Sequence, residues 1–550
     1  MIQPLRFIPL GGLGEIGRNM TVLEYGRNIL IIDVGVMFPE NDMLGIDLVI
    51  PNFEYLRDKK DWVRGIVITH GHEDHTGALP YLLEELQAPI YSTRLVLAML
   101  DHKLKEHFGK RLKPDMHELT PGDSVRIGPF NVHTILLSHS IPDSMALAID
   151  TPVGRIIHSG DFKIDYTPSA GERPHLAQLA ALSADGVLAL FSDSTGVEKA
   201  GFTPSEKTIE PAFDKIMREA PGRVLVASFA SLLNRFQLLI DISHRYNRKV
   251  AIAGRSLQQN FEIARDLGYI KVPKGAVVKL DTAAKLPPKQ VTLLITGSQG
   301  QPEAALARMA TGRHRELTLT PTDTVVISAH PIPGNEEEVG RMINQLVERE
   351  VEVLYPPIAH VHVSGHASQE EMKLLLALVQ PKFFIPVHGE LRHLHLHARL
   401  AETMGIARDH IFKLRDGDVL EMTPEGCRVA DKVAGGYVFV DGSGVGDIGP
   451  AVLRERDALA QDGVVSAVIT VHKSSRELAA EPQIVTSGVI YKEQSSGTLQ
   501  GAQAALVQAL KQSKRTNSAL TNTATDALSR YFYQTTRRSP VVLPVIVEVA

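Results

Sequence analysis

Short apolar runs, each closed by Gly, Asp, Ser or Pro, dominate the first third of the chain. Met20–Tyr25 and Asn28–Asp33 flank a turn at Gly26-Arg27, Val125–Ile127 and Phe130–Leu137 flank Gly128-Pro129, and Met145–Asp150 is followed by Arg155–His158. Such runs, bounded by turn residues, predict strands paired in hairpins. The apolar run Gly65–Ile68 reads as a buried strand, and helical periodicity follows at Leu79–Leu86 and Arg94–Phe108. Val187–Ser192 predicts one more strand, ending in Asp193-Ser194-Thr195.

From about residue 205 to 350 the pattern changes. Val224–Ala227, Val250–Ala253, Leu293–Thr296 and Val325–Ile327 each lead into a Gly/Ser loop and then a helical stretch. Strands alternating with helices predict a parallel sheet, whose strand ends and helix N-termini suit phosphate. The first pattern then returns: His360–Ser368, a helix over Gln369–Val379, and a strand Lys382–Pro386 ending in Val387-His388-Gly389-Glu390. Residues 431–463, rich in Gly and Asp, read as a linker or edge hairpin. Beyond them come strands Val464–His472 and Gln483–Tyr491, helices Leu499–Lys511 and Ala524–Tyr533, and a strand Pro540–Val549, a small α/β domain. The expected organisation is therefore 1–204, an insert at 205–350, a return at 351–430, a linker at 431–463 and a final domain at 464–550.

Composition adds limits. A chain of 550 residues suggests about three domains. One cysteine, Cys427, excludes internal disulfides. Met1–Leu10 lacks a signal-peptide core and no run reaches the roughly 18 apolar residues of a membrane span, so a cytoplasmic protein without a membrane partner is expected. A net charge of −5 gives no global support to polyanion binding; attraction would have to come from metal ions, helix N-termini and clustered Arg or Lys. Lys511, Lys514, Arg515, Arg537 and Arg538 give the last domain basic spots, either a solvated face or a surface for RNA or assembly.

The chemistry concentrates in Thr69-His70-Gly71-His72-Glu73-Asp74-His75, at a strand-to-helix turn. Imidazole and carboxylate suit zinc, manganese and iron. Two residues separate His72 from His75, so this is not the HExxH of a helical zinc protease. Alternate side chains of an extended H-x-H-x-D-H loop can address two centres. Gly12–Gly17 spells GxGxxG, but a dinucleotide site needs a helix directly after it, and Thr21–Tyr25 reads as a strand; the glycines are expected to let a loop pass near the site. His102 and His107 read as surface or packing residues, His133 and His158 as strand residues rather than ligands, and His393, His395 and His397 as surface decoration.

His70, His72, Asp74 and His75 match the signature loop of the metallo-β-lactamase superfamily. The chain resembles it at two further ligand positions, filled by His139 in Leu136–Ser140 and Asp161 in Ile156–Asp161. A core of this kind with a sheet-and-helix insert resembles the β-CASP group, whose members act on nucleic acids. Three motifs of that group are matched by Asp193, by His366 in Ser364-Gly365-His366-Ala367, and by His388; His at the third position goes with RNA-processing members, Val with DNA-processing ones. Over its whole length, including Pro9–Gly17 and the last domain, the chain is similar to the ribonuclease J family. One departure is Leu232-Leu233-Asn234-Arg235 after Phe229-Ala230-Ser231, where the family often has His before the Arg.

This resemblance implies an α/β fold: an αββα metallo-β-lactamase sandwich with an inserted β-CASP parallel-sheet domain and a small α/β C-terminal domain. It implies two divalent ions, Zn²⁺ or Mn²⁺. His70, His72 and His139 would hold one, Asp74, His75 and His388 the other, with Asp161 bridging and Asp33 bracing the loop. His366, oriented by Asp193, would serve as phosphate clamp or general acid, with His362 as the alternative. Asp74 counts with these catalytic groups. Ser231, Arg235, His362, Val363, Ser364, Gly365, His366 and Ala367 would contact the substrate, backbone N–H groups of 364–367 gripping phosphate at a helix start. The implied activity is 5′→3′ exonucleolytic and endonucleolytic cleavage of single-stranded RNA in RNA maturation and mRNA decay. It would prefer 5′-monophosphorylated ends and leave 5′-phosphate and 3′-hydroxyl. A homodimer through the C-terminal domain is expected. A small-molecule metallohydrolase fits the metal loop equally well, but not the insert or the Asp193, His366 and His388 set.

Overall fold

Alternating apolar runs and turns fold into two sheets that bury their facing sides against each other. The computed structural model describes residues 3–109, 111–169, 171, 173–490, 495–514 and 516–550. It divides into two compact units, Met1–Phe38 with Val49–Val438, and Pro39–Leu48 with Phe439–Ala550.

In the first unit one sheet runs in the order Cys427–Val429, Leu420–Met422, Leu5–Gly11, Met20–Tyr25, Asn28–Ile32, Val63–Val67, Ile90–Ser92, Met116–Glu118. The other runs Pro381–Val387, Val187–Asp193, Gly154–His158, Met145–Thr151, Phe130–Leu136, Ser124–Ile127. They share a core in which Phe7 stacks on Phe191 at 4.0 Å between ring centroids, flanked by Leu23, Leu30, Leu147 and Ile156. Helix Arg94–Phe108 lies against the first sheet. Helices Gln369–Val379 and Leu391–Thr403 cover the second through Leu375, Leu376 and Ala401. The layers are therefore αββα.

The chain between these segments forms a parallel five-stranded sheet in the order Lys249–Ala253, Val291–Ile295, Val224–Ala227, Thr324–Ile327, Glu352–Leu354. Such strands are covered on both faces, which explains their unbroken apolar runs. Phe213, Phe236 and Phe261 pack one face, and Leu306, Met309, Met342 and Leu346 the other.

Topology positions the chemistry. Gly154–His158, Val187–Asp193 and Pro381–Val387 are adjacent and parallel. Asp161, Asp193 and His388 therefore emerge at one edge. Two antiparallel steps bring the end of Phe130–Leu136, and with it His139, to the same edge.

The second unit has a three-stranded sheet, Gln483–Ser487, Val464–His472, Val541–Val549. Val465, Ala467, Ile469 and Val471 alternate inward onto Leu506, Leu528 and Phe532 of helices Ser495–Lys511 and Asn517–Thr536. On the opposite face Val485, Leu543 and Val545 are exposed. The strand expected to reach Tyr491 ends at Ser487, and Tyr491 and Arg515 lie outside the described residues. Residues 431–463 hold the strand Tyr437–Asp441 and a helix, Pro450–Asp462. That helix starts on Pro and buries none of its residues fully, Val452 and Leu453 being half-buried, so its apolar signal is weak. Among the described residues no helix is long and apolar enough to cross a membrane.

Candidate metal centre

The His-rich loop is held by Asp33, which takes a left-handed conformation (φ 61°) just past its strand. Its carboxylate accepts hydrogen bonds from Thr69 N (2.7 Å) and Thr69 Oγ1 (2.8 Å), and its Oδ2 lies 2.7 Å from His75 Nδ1. That contact leaves Nε2 of His75 as the ligating nitrogen. Gly35 allows the approach, because a Cβ there would lie 1.6 Å from the Asp74 carbonyl oxygen. Asn19 N donates to that same oxygen at 2.9 Å.

Two sets of donor atoms face inward. His72 Nδ1 is 3.1 Å from both His70 Nε2 and His139 Nε2, and Asp161 Oδ2 lies 3.7 and 3.8 Å from the latter two. On the other side His75 Nε2 is 3.3 Å from Asp161 Oδ1 and 3.5 Å from Asp74 Oδ2; His388 Nδ1 is 2.8 Å from Asp161 Oδ1, and its Nε2 3.5 Å from Asp74 Oδ2. His139 is aimed by its Nδ1, 2.8 Å from Gly365 O. His388 holds its place with a left-handed backbone, φ 50°.

These residues fit metal ions. Ligands about 2.0–2.1 Å from a tetrahedral ion lie roughly 3.3 Å apart, close to the spacing in both sets. Asp161 Oδ1 and both ring nitrogens of His388 are buried, and their 2.8 Å approach lacks hydrogen-bond geometry, an arrangement that a shared cation resolves. A cavity of about 20 Å³ lies among Gly12, Asn19, His75, Asp161 and His388. Burial, reinforced by neighbouring imidazoles, pushes His70 and His139 well below the usual histidine range, and burial takes His72 down to about 4. All three are neutral donors. On the second side burial is overcome by Asp161 and its neighbouring carboxylates, which pull His75 well up and His388 to about 10. The carboxylates thus favour positive charge at this side, which protons on His75 and His388 or a cation in their place can supply.

Beside this cage His366 Nδ1 lies 2.8 Å from Asp193 Oδ2 and 3.9 Å from Asp161 Oδ2. Burial disfavours its charged form, but Asp193 prevails and raises its pKa. The expected phosphate grip would fall to the amides of 364–367, which precede the helix; of these His366 N donates to Ser364 Oγ at 3.1 Å. The helix begins at Gln369, beyond Ala367, and its first amides donate to Lys199 O and Gly201 O. Ser368 N, Thr203 N and Ile164 N donate to the fully buried Glu371 carboxylate. Val363, Gly365 and Ala367 are buried, while Ser364 and His366 are half-buried. Ser231 is half-buried in the turn before helix Leu233–Arg245.

Arg235 is not presented to solvent. It is buried, bonded to both Glu206 carboxylate oxygens (2.9 Å each) and to Ser328 O (2.7 Å), with Nη1 2.8 Å from His362 Nδ1. Burial and Arg235 drive His362 well below the usual range, so it carries no proton to donate as an acid near neutrality. His393 and His397 are buried rather than surface decoration. They share the buried stripe of their helix with Leu394 and Ala401, His397 against Phe384 and 3.0 Å from Ser194 Oγ; only His395 is exposed. His102 and His107 are surface residues that contact Gln259 and Glu84. Sequence patterns gave no signal for Asn19, Glu206 or Glu371, whose partners are remote in the chain.

Residues 13–183 match the profile described as Metallo-beta-lactamase superfamily, and 221–346 match Ribonuclease J, beta-CASP domain. Residues 350–412 match Zn-dependent metallo-hydrolase RNA specificity domain, and 451–549 match Ribonuclease J C-terminal domain. Ribonuclease J 1 of Streptococcus pyogenes is 42% identical over 98% of this chain and 96% of its own length. Ribonuclease J2 of Bacillus subtilis is 40% identical over 100% and 99%, and ribonuclease J of Thermus thermophilus 42% over 99% and 95%. A crystal structure of a protein of unknown function from Enterococcus faecalis shares the fold, with a TM-score of 0.54 at 14% identity over 76% of this chain and 100% of that one. The chain belongs to the ribonuclease J family, metal-dependent hydrolytic ribonucleases of the metallo-β-lactamase superfamily.

Proposed function

We propose that this chain cleaves single-stranded RNA both 5′→3′ from its end and internally, leaving 5′-phosphate and 3′-hydroxyl, and prefers 5′-monophosphorylated ends. One observation carries the proposal: the two oxygens of Asp161 face opposite donor sets, Oδ2 toward His70 and His139, Oδ1 toward His75 and His388. A bridging carboxylate is the mark of a two-ion site suited to in-line displacement at phosphorus. Two divalent cations, Zn²⁺ or Mn²⁺, would be held there by His70, His72 and His139 and by Asp74, His75 and His388. When bound they supply Lewis acidity and offset charge on the phosphate oxygens. His366 holds a proton for the departing 3′ oxygen, and Asp193 keeps its ring oriented and its proton firmly bound. Arg235 and Glu206 brace His362 and the loop that follows, so Arg235 serves the pocket from behind. Ser231 and the 362–367 loop would line the terminal phosphate pocket. Self-association is supported by the apolar face at Val485, Leu543 and Val545, and the expected site of action is the cytoplasm.

A time course on matched RNA and DNA, the RNA 5′-monophosphorylated or 5′-triphosphorylated, with Mn²⁺, Mg²⁺ and Zn²⁺, tests this. Mononucleotides released first from monophosphorylated RNA, with internal fragments alongside, are expected. Equal cleavage of DNA, or indifference to the 5′ end, contradicts it.

A further inference from the structure

We infer that Asn19 is a positioning residue for the second cation, setting Asp74 and His75 for the ion they would share with Asp161 and His388. This rests on the two-ion proposal above. Asn19 Nδ2 lies 3.1 Å from His75 Nε2, 3.2 Å from Asp74 O and 3.5 Å from Asp74 Oδ2. One amide nitrogen thus lies against both adjacent donors of the second set; with an ion on the His75 Nε2 lone pair, the Asn19 N–H groups are left to Asp74. The backbone of Asn19 is clamped in the same place: its N donates to Asp74 O at 2.9 Å and its O accepts from Gly35 N at 2.9 Å.

The other side of the amide is fixed by shape. A Cβ on Gly12 would come 2.3 Å from Asn19 Oδ1, so Gly12 leaves the room that the carbamoyl group fills. Asn19 also lines the 20 Å³ cavity with His75, Asp161 and His388, a volume suited to one water or one ion. With His75 Nδ1 engaged by Asp33, an Asn19 N–H 3.5 Å from Asp74 Oδ2 and 3.2 Å from Asp74 O favours the rotamer that turns that half-exposed carboxylate toward the second set. Asp74 Oδ2 has Asn19 Nδ2, His75 Nε2 and His388 Nε2 each at 3.5 Å; the two imidazoles are themselves members of the second donor set, and Asn19 is the amide beside them. Partners that orient metal ligands typically change affinity by about 10–100-fold when removed.

The test is a Co²⁺ titration of the chelator-treated full chain, followed by calorimetry and by the visible d–d spectrum, in the wild type, Asn19→Ala and Asn19→Leu. Leu keeps the branched shape but offers no donor. Thermal melting of the metal-free variants establishes that each is folded. The expected result is one binding step weakened by about 10–100-fold in both variants with an altered spectrum, the other step unchanged. Recovery of wild-type affinity in Asn19→Leu reduces Asn19 to packing and overturns the inference. So does equal weakening of both steps, which marks a general loop brace, or no change in either. If the wild type itself binds fewer than two ions, the two-ion proposal fails first, and does so independently of any variant.

Discussion

Adding one methyl group at Gly365 should empty one half of the metal cage. Gly365 is buried and lies outside the left-handed region, so Ala is permitted by the backbone and the effect is purely spatial. The new Cβ would lie 2.8 Å from His139 Cε1, 2.9 Å from His139 Nδ1 and 2.9 Å from Ser140 Cβ. Ordinary contact begins near 3.4 Å, so the ring must retreat by about 0.6 Å. His139 cannot retreat freely, because Gly365 O holds its Nδ1 at 2.8 Å and its ring sits edge-on to His72 and His366. Ligand distances tolerate only about 0.2 Å, so a shift of this size breaks the set His70, His72 and His139. Gly365→Ala should therefore lose one ion per chain on dialysis against a metal buffer, while the His75 and His388 side keeps its own. RNA cleavage should fall at least about tenfold, following the lost ligand geometry. Elemental analysis with a melting curve of the metal-free protein reads this directly. Gly340, in helix Glu336–Val347 with nothing within 4 Å of an added Cβ, is the control; its Ala variant should gain about 1 kcal/mol of stability and keep its metal. Wild-type metal content and cleavage in a folded Gly365→Ala variant would refute the steric reasoning.

Other expected outcomes can be measured in the same way. Asp161→Ala removes the one carboxylate that, among the described residues, faces both donor sets, so both ions should go; about two ions per chain remaining would contradict the bridging role. His366→Ala should keep its metals yet lose about 10²–10⁴-fold in turnover, as typical for lost acid–base help; near-normal cleavage would remove His366 from the chemistry. Burial, partly offset by Lys382, pushes the Cys427 thiol up to about 12, so the folded chain should alkylate with iodoacetamide at pH 8 on the order of 10³-fold more slowly than a free cysteine. Labelling at the free-thiol rate would show that Cys427 is not enclosed.

The sandwich strands were legible because hairpins are local: a turn such as Gly26-Arg27 and the runs beside it suffice to pair Met20–Tyr25 with Asn28–Ile32. The insert was legible because its strands, buried on both faces, are unbroken apolar runs. His70, His72, Asp74 and His75 were found because they lie in one loop. Helix Pro450–Asp462 was missed because a helix that is only half-buried, through Val452 and Leu453, carries a weak periodic signal.

What the sequence determined by itself is the inventory: which segments pair locally, and which donors of the right chemistry stand at strand ends. It could not tell that Arg235 turns inward to Glu206, that His397 faces Phe384 rather than water, or that the first amides of helix Gln369–Val379 are spent on Lys199 and Gly201. Each of these depends on a partner distant in the chain, and a side chain's exposure and charge state are properties of what packs around it. The cage itself is such a property, since parallel strand ends from Leu136 to Val387 must meet at one edge before Asp161 can face both donor sets.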